Sequence, residues 1–84
     1  MRNFDPATLT SEWATWYVIE LAHAYAGLGE PIPAAYHARR ALTVAKATGS
    51  TRLTHEVQAI HQTLTARWPD EDEITRLTEA LASM

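Results

Sequence analysis

The sequence predicts an all-α protein of one domain, with about four helices that pair as two antiparallel hairpins. Two observations support this fold class. Apolar residues recur every three or four positions along most of the chain, which is the period of an amphipathic helix. Glycine and proline interrupt that pattern at short intervals, as they do where one helix ends and the next begins. The predicted helices are about 11–27, 31–48, 51–67 and 70–82, and they leave no room for a sheet.

The first long helix is predicted to face the core with a wide arc of its surface. Before it, Asp5 as N-cap and Pro6 as first helical residue indicate a short helical start. Gly27 and Gly29 supply a left-handed end to the long helix. At about 100° per residue, the predicted core arc gathers Ala14, Tyr17, Val18, Leu21, Ala24, Tyr25 and Leu28.

The second and third helices have clear boundaries and clear apolar stripes. Pro31 and Pro33 begin the second helix, and Gly49 ends it. Ser50 is the expected cap of the third helix, which the Trp68-Pro69 pair breaks. The predicted core stripes are Ala34, Ala38, Ala41, Leu42 and Ala45 in the second helix, and Leu53, Val57, Ile60 and Leu64 in the third.

The fourth helix is predicted from its acidic start. Asp70 and Glu73 have the spacing of a capping box, and their charges complement the positive end of a helix. Ile74, Leu77 and Leu81 form its apolar stripe.

Composition limits the classes of function. A chain of 84 residues is one domain, and it contains no cysteine, so the fold needs no disulfide and no thiolate-bound metal. No apolar run approaches the roughly 18 residues needed to span a bilayer, and residues 1–12 lack the pattern of a signal peptide. We therefore expect a cytoplasmic protein that does not bind membranes.

Charge is distributed unevenly along the chain. Residues 1–38 hold one arginine against four acids, residues 39–67 sum to +4, and residues 68–84 sum to −4. A net charge of −3 without a dense basic run speaks against nucleic-acid binding. We expect solvated helix faces with some pairing between the basic middle and the acidic end. The same opposite charges also favour association of two chains.

The first two helices resemble a tetratricopeptide repeat. The residues that carry this resemblance are Leu21-Ala22 as the large-small pair, Tyr25 as the first-helix aromatic, Leu28-Gly29 at the turn, and Ala34 and Ala41 on the second helix. The chain departs from the family pattern at Val18, Ala38 and Lys46, and residues 51–84 fit the repeat poorly. The resemblance implies closely packed helix pairs that bind other proteins, with His23 lining a peptide groove.

A wider resemblance covers nearly the whole chain. The segments Phe4-Asp5-Pro6-Ala7, Ala41-Leu42, 47–52 and Arg67-Trp68-Pro69 are similar to the C-terminal helical-repeat region of actinobacterial helix-turn-helix regulators. This resemblance implies a sensing or docking role. It does not imply DNA binding, because the DNA-binding head is missing from these 84 residues.

A second face of the first helix is the candidate partner-binding site. It comprises Trp13, Trp16, Glu20 and His23, with Ile19 farther round toward solvent. Two tryptophans on one flank of a small protein indicate an interface, with the apolar residues as anchors and Glu20 and His23 as the polar rim. A second copy of the chain or another protein is the expected occupant. The alternative is that Phe4 and Leu9 fold over the tryptophans.

Catalytic and metal-binding templates are not met. Glu20 and His23 have the spacing of a di-iron ligand pair, but the sequence has no second such motif. His55 and His61 are roughly 240° apart around a helix, so they cannot share a metal, and His37 is expected to be solvated. No phosphate-binding loop or nucleophile elbow is present, so we expect no enzyme activity, cofactor or metal.

The sequence therefore predicts a non-enzymatic protein-interaction or regulatory adaptor module. Its expected partner is itself, as a homodimer, or a regulator protein. Tyr36, Arg40 and Thr43 on the outer side of the second helix form a minor recognition surface or ordinary solvent-facing residues. The alternative function is a small-molecule-sensing or enzyme-associated bundle, with a pocket lined by Trp13, Tyr17, Tyr25 and Trp68.

Overall fold

The protein is all α-helical over the part of the chain that the structure describes. The computed structural model describes the backbone of residues 12–83 and the side chains of residues 14–83. The four helices are α1 (Glu12–Gly27), α2 (Pro31–Thr48), α3 (Thr51–Arg67) and α4 (Asp72–Ala82). No strand occurs within residues 12–83, which confirms the predicted fold class. The predicted helical start at Asp5 and Pro6 lies outside the described residues.

α2 and α3 form the middle of the structure. Each of these two helices contacts all three others, whereas α1 and α4 do not contact each other. The connections are short, at residues 28–30, 49–50 and 68–71. Within residues 12–83, no helix is both long and apolar enough to cross a membrane.

The alanine row of α2 is the centre of the core. Ala34, Ala38, Ala41 and Ala45 are at most 1% exposed, as predicted, and Ala35 and Leu42 are buried beside them. Alanine favours helix formation, and its small side chain allows neighbouring helices to approach closely. The predicted stripes of α3 and α4 are confirmed as well. Leu53, Val57, Ile60, Leu64, Ile74 and Leu77 are buried, and Leu81 packs partly buried against them.

The predicted orientation of α1 is wrong in large part, although Val18 and Tyr25 of the predicted arc pack partly buried against the core. Tyr17 and Leu28, which the periodicity assigned to the core, are 67% and 74% exposed, and Ala24 is exposed too. The buried residues are instead Thr15, Ile19, Ala22 and Ala26. Apolar residues lie on nearly every side of α1, so the period alone does not fix which side faces inward. The small residues on the buried side allow close packing of α1, which large side chains such as Tyr17 would prevent.

The boundary between α2 and α3 follows the prediction. Gly49 has a φ of 70°, and its N–H donates to the Ala45 carbonyl. Ser50 is the N-cap of α3, and its Oγ accepts the Leu53 N–H at 3.2 Å. This bond satisfies one of the helix-end donors that lack an intrahelical acceptor.

Two other predicted helix ends need correction. At the end of α1 only Gly29 has a left-handed φ, of 78°, whereas Gly27 is the last helical residue. At the start of α4 the N-cap is Glu71, which makes no capping bond through its side chain, so the predicted capping box from Asp70 is wrong. Glu73 turns to Arg39 of α2, at 3.2 Å, and thereby links two helices. The N-cap lies one residue later than the predicted box requires, so Glu73 is not at the position that a capping box uses.

Replacement of Ser50 by alanine is expected to lower the free energy of unfolding by about 1 kcal/mol, because the Leu53 N–H loses its acceptor. Urea unfolding followed by circular dichroism measures this loss. Ser83→Ala is the matched control at an exposed helix end, and we expect it to change stability by less than about 0.5 kcal/mol. Equal losses in both variants would contradict the capping role of Ser50.

Candidate docking surfaces

Ile19 is a core residue and not a docking anchor. Its side chain is 2% exposed and shares its side of α1 with Thr15, Ala22 and Ala26. The prediction that Ile19 lies toward solvent is therefore wrong, and burial against the other helices is the physical reason. The side chain of Trp13, another predicted anchor, lies outside the described residues.

The remaining predicted site residues lie along the side of α1 that faces α3. Trp16 is partly buried against the core, and the Arg52 guanidinium carbon lies 5.2 Å from its ring centroid. Exposed His23 has Nε2 at 4.0 Å from Glu56 Oε1, and Glu20 is exposed nearby on the same side. The structure thus places Trp16 and His23 against α3, where both side chains make contacts between helices. A surface pair at 4.0 Å contributes little to stability.

Arg67 ties the ends of α1 and α3 together. Its guanidinium donates to the Ala26 carbonyl at 2.8 Å and lies 4.3 Å from the Trp68 ring centroid. The Ala26 carbonyl also accepts the Gly29 N–H at 3.1 Å, so Arg67 supplies a second donor. A cation at this end also opposes the negative end of the helix dipole. Sequence reasoning assigned no role to Arg67. Its position in the last turn of α3 was the available signal.

The largest exposed apolar side chains form what we call the α1–α2 apolar surface, defined by Tyr17, Leu28, Ile32 and Tyr36. Leu28 directly follows α1, and its N–H donates to the Ala24 carbonyl at 3.0 Å, so it continues the helical path. It lies about three turns beyond Tyr17 and therefore on the same side. Ile32 and Tyr36 share one side of α2. These residues are between 51% and 74% exposed. At roughly 100–150 Å² each, these four side chains expose on the order of 500 Å² in total.

The outer side of α2 borders this surface. Tyr36, Arg40 and Thr43 are all exposed, as predicted. The Arg40 guanidinium carbon lies 5.8 Å from the Tyr36 ring centroid, a distance that permits a cation–π contact. The α1–α2 apolar surface therefore carries an adjoining positive charge.

His37 is partly buried and not solvated as predicted. Its ring stacks on Tyr25, with centroids 5.5 Å apart and planes 7° apart, and meets the edge of Tyr36 at 5.2 Å. Its Nδ1 is buried without a hydrogen-bond partner among the described residues. Burial, and secondly the Arg40 charge, lower the pKa of His37 from its ordinary value of 6.5. The adjacent arginines suggested solvation, whereas the contact with Tyr25 depends on the packing of α1 against α2.

The side of the protein near α4 is polar and internally paired. Arg39 bonds Glu73 at 3.2 Å, which confirms the expected pairing of the basic middle with the acidic end. His61 Nε2 lies 2.6 Å from Thr78 Oγ1, and Arg76 adds a second cation at 3.6 Å from Glu73. These contacts give α4 polar partners on both α2 and α3.

Two cavities lie away from the predicted aromatic pocket. The larger, of about 450 Å³, is lined by Ala45, Lys46, Gly49, Ser50, Thr51, Thr54, His55 and Gln58. The smaller, of about 250 Å³, lies between α2 and α4. Neither is lined by Tyr17, Tyr25 or Trp68. Within residues 14–83, no three histidine or acidic side chains are placed to hold a metal ion together.

Comparison with known proteins identifies no relative of this chain. No protein-family model, no curated protein and no solved structure matches the chain.

Proposed function

We propose that the protein is a non-enzymatic protein-interaction module that docks through the α1–α2 apolar surface. The observation that carries this proposal is the exposure of four large apolar side chains, each at least half exposed, on two adjacent helices. Clusters of this kind on small proteins are commonly interfaces, and tyrosine is among the residues enriched in them. The proposal keeps the first helix as a docking element but moves the surface to a different side of it. Tyr17 and Leu28 take the place of the predicted anchors Trp16 and Ile19.

The contacts between helices support a tetratricopeptide-like arrangement within this proposal. Each helix contacts its neighbour and its next-but-one neighbour along the chain, while α1 and α4 stay apart. Two stacked helix pairs would give that pattern. In such a stack α1 and α4 flank opposite edges. The α4 edge is polar, as an end unit requires, and the α1 edge carries the exposed tyrosine and leucine. A regulatory adaptor role in the cytoplasm is consistent with this scheme.

A second copy of the chain is the simplest occupant. In a twofold dimer the same patch lies on both sides of the interface, so apolar stripes can match each other. Two copies would cover roughly 1,000 Å² through the four side chains, which is the lower range of specific interfaces. We therefore propose a weak homodimer, with a dissociation constant on the order of micromolar to 100 µM.

Sedimentation velocity across the micromolar range tests this proposal. We expect the mass of the wild type to rise with concentration toward a dimer. The double variant Tyr17→Ser/Tyr36→Ser should stay monomeric, because both substitutions remove large rings that are at least half exposed and do not belong to the buried core.

Gln58→Ser/Glu79→Ser is the matched control, since both residues are exposed on α3 and α4. Its self-association should equal that of the wild type. Two outcomes would contradict the proposed docking surface. The wild type could remain monomeric at several hundred micromolar, or the tyrosine double variant could dimerise as well as the wild type does.

A further inference from the structure

We propose that His37 makes the α1–α2 apolar surface sensitive to pH. The neutral imidazole holds Tyr25 and Tyr36 in place, and its protonation in mild acid releases both rings and weakens docking. This inference rests on the proposed function, because docking is the property that it regulates. It concerns a residue that lies between the core and the surface.

The geometry couples His37 to the docking surface. The ring lies nearly parallel to Tyr25 of α1, with an interplanar angle of 7°, and at 71° to exposed Tyr36 of α2. Tyr25 itself packs partly buried against the core. A displacement of the imidazole therefore removes the support of Tyr36 and one contact between α1 and α2 together.

The buried Nδ1 distinguishes the two protonation states. A neutral imidazole carries one N–H, so its proton can sit on Nε2 and leave Nδ1 bare. The imidazolium carries a hydrogen on both nitrogens. In the observed position its Nδ1–H would be enclosed without an acceptor among the described residues. A buried charged donor without an acceptor is strongly unfavourable.

The groups that face His37 shift its pKa in opposite directions. The ring face of Tyr25 attracts a cation, which would favour the imidazolium. Burial of the imidazole and the charge of Arg40 disfavour it, and the pKa of His37 is lowered as a result. The enclosed Nδ1, which has no acceptor among the described residues, also disfavours the imidazolium. Protonation therefore favours movement of the His37 ring out of its stack with Tyr25.

The sign of the pH dependence follows from this lowered pKa. Between the folded-state pKa and 6.5, the unfolded chain binds more protons at this site than the folded chain does. Stability therefore rises with pH through that window, and the contribution is complete above the unfolded-state pKa. Acid therefore destabilises the stacked state. The effect should appear both in the free energy of unfolding and in the dissociation constant of the dimer.

The first measurement follows the folded chain at low concentration. Urea unfolding at pH 5.0 and 7.5 compares the wild type with His37→Phe, which keeps a flat ring against Tyr25 but cannot take a proton. The wild type should gain more stability between the two pH values than His37→Phe does. His55→Gln removes an exposed histidine of α3 and should behave like the wild type. If His37→Phe responds to pH as the wild type does, the inference is overturned.

The second measurement is sedimentation of the same three proteins at both pH values. The dissociation constant of the wild-type dimer should rise by at least about threefold at pH 5.0, whereas that of His37→Phe should change by less. Dimerisation that persists with equal pH responses in both proteins overturns this inference and leaves the docking proposal intact. A wild type that is monomeric at both pH values overturns the docking proposal itself, and the two failures are thus distinguishable.

Discussion

Replacement of Leu64 by alanine is expected to lower the free energy of unfolding by about 2–5 kcal/mol. Leu64 is fully buried at the end of the α3 stripe, in a helix that contacts the other three. Truncation removes apolar contacts and leaves a cavity in the core. Because small domains are stable by only about 5–15 kcal/mol, this single change is expected to bring the chain close to unfolding at 37 °C.

Leu28→Ala is the matched control for this prediction. It removes the same atoms from a side chain that is 74% exposed, so it should change stability by less than about 0.5 kcal/mol. Urea unfolding of both variants at 25 °C gives the comparison. Similar losses at the two positions would mean that Leu64 does not lie in a close-packed core.

Enlargement of Ala38 to leucine is expected to destabilise the protein by about 1–3 kcal/mol. Ala38 is fully buried in the middle of α2, where the low alanine surface allows the other helices to approach. The added atoms have no space, so α2 must move away from its neighbours or the new side chain must take a strained rotamer. Leucine is nearly as good a helix former as alanine, so the loss measures packing.

Ala47→Leu provides the control on the same helix. Ala47 is exposed, and leucine there adds the same volume without displacing a neighbour. We expect its melting temperature to stay near that of the wild type, while that of Ala38→Leu falls. An unchanged melting temperature in Ala38→Leu would contradict the close approach of the helices at the alanine row.

The sequence was sufficient to predict the helices and three of their buried faces, those of α2, α3 and α4. Gly49 and Ser50 act locally, through a left-handed φ and a side-chain cap, so their effect can be predicted without tertiary information. The stripes of α2 and α3 are also legible, because one side of each helix is apolar and the other is mostly polar or small. Local chemistry decides these features.

The candidate site was less accessible to sequence reasoning. α1 is apolar nearly all round, so Ile19 and Tyr17 exchanged their predicted places once the partner helices were known. Glu73 shows the same limit, because its ion pair with Arg39 joins residues 34 positions apart, which no local capping pattern encodes. The stack of His37 on Tyr25 depends on how two helices meet. Such features are set by tertiary contacts that periodicity does not encode.

The separation of α1 from α4 bears on how the chain acquires its structure. Within residues 12–83, native contacts join only helices that are adjacent or next but one along the chain. Low contact order of this kind is associated with folding in microseconds to milliseconds. During synthesis, α1 and α2 can therefore pair before the last helix has left the ribosome, which shortens the time for which the alanine row is open to aggregation.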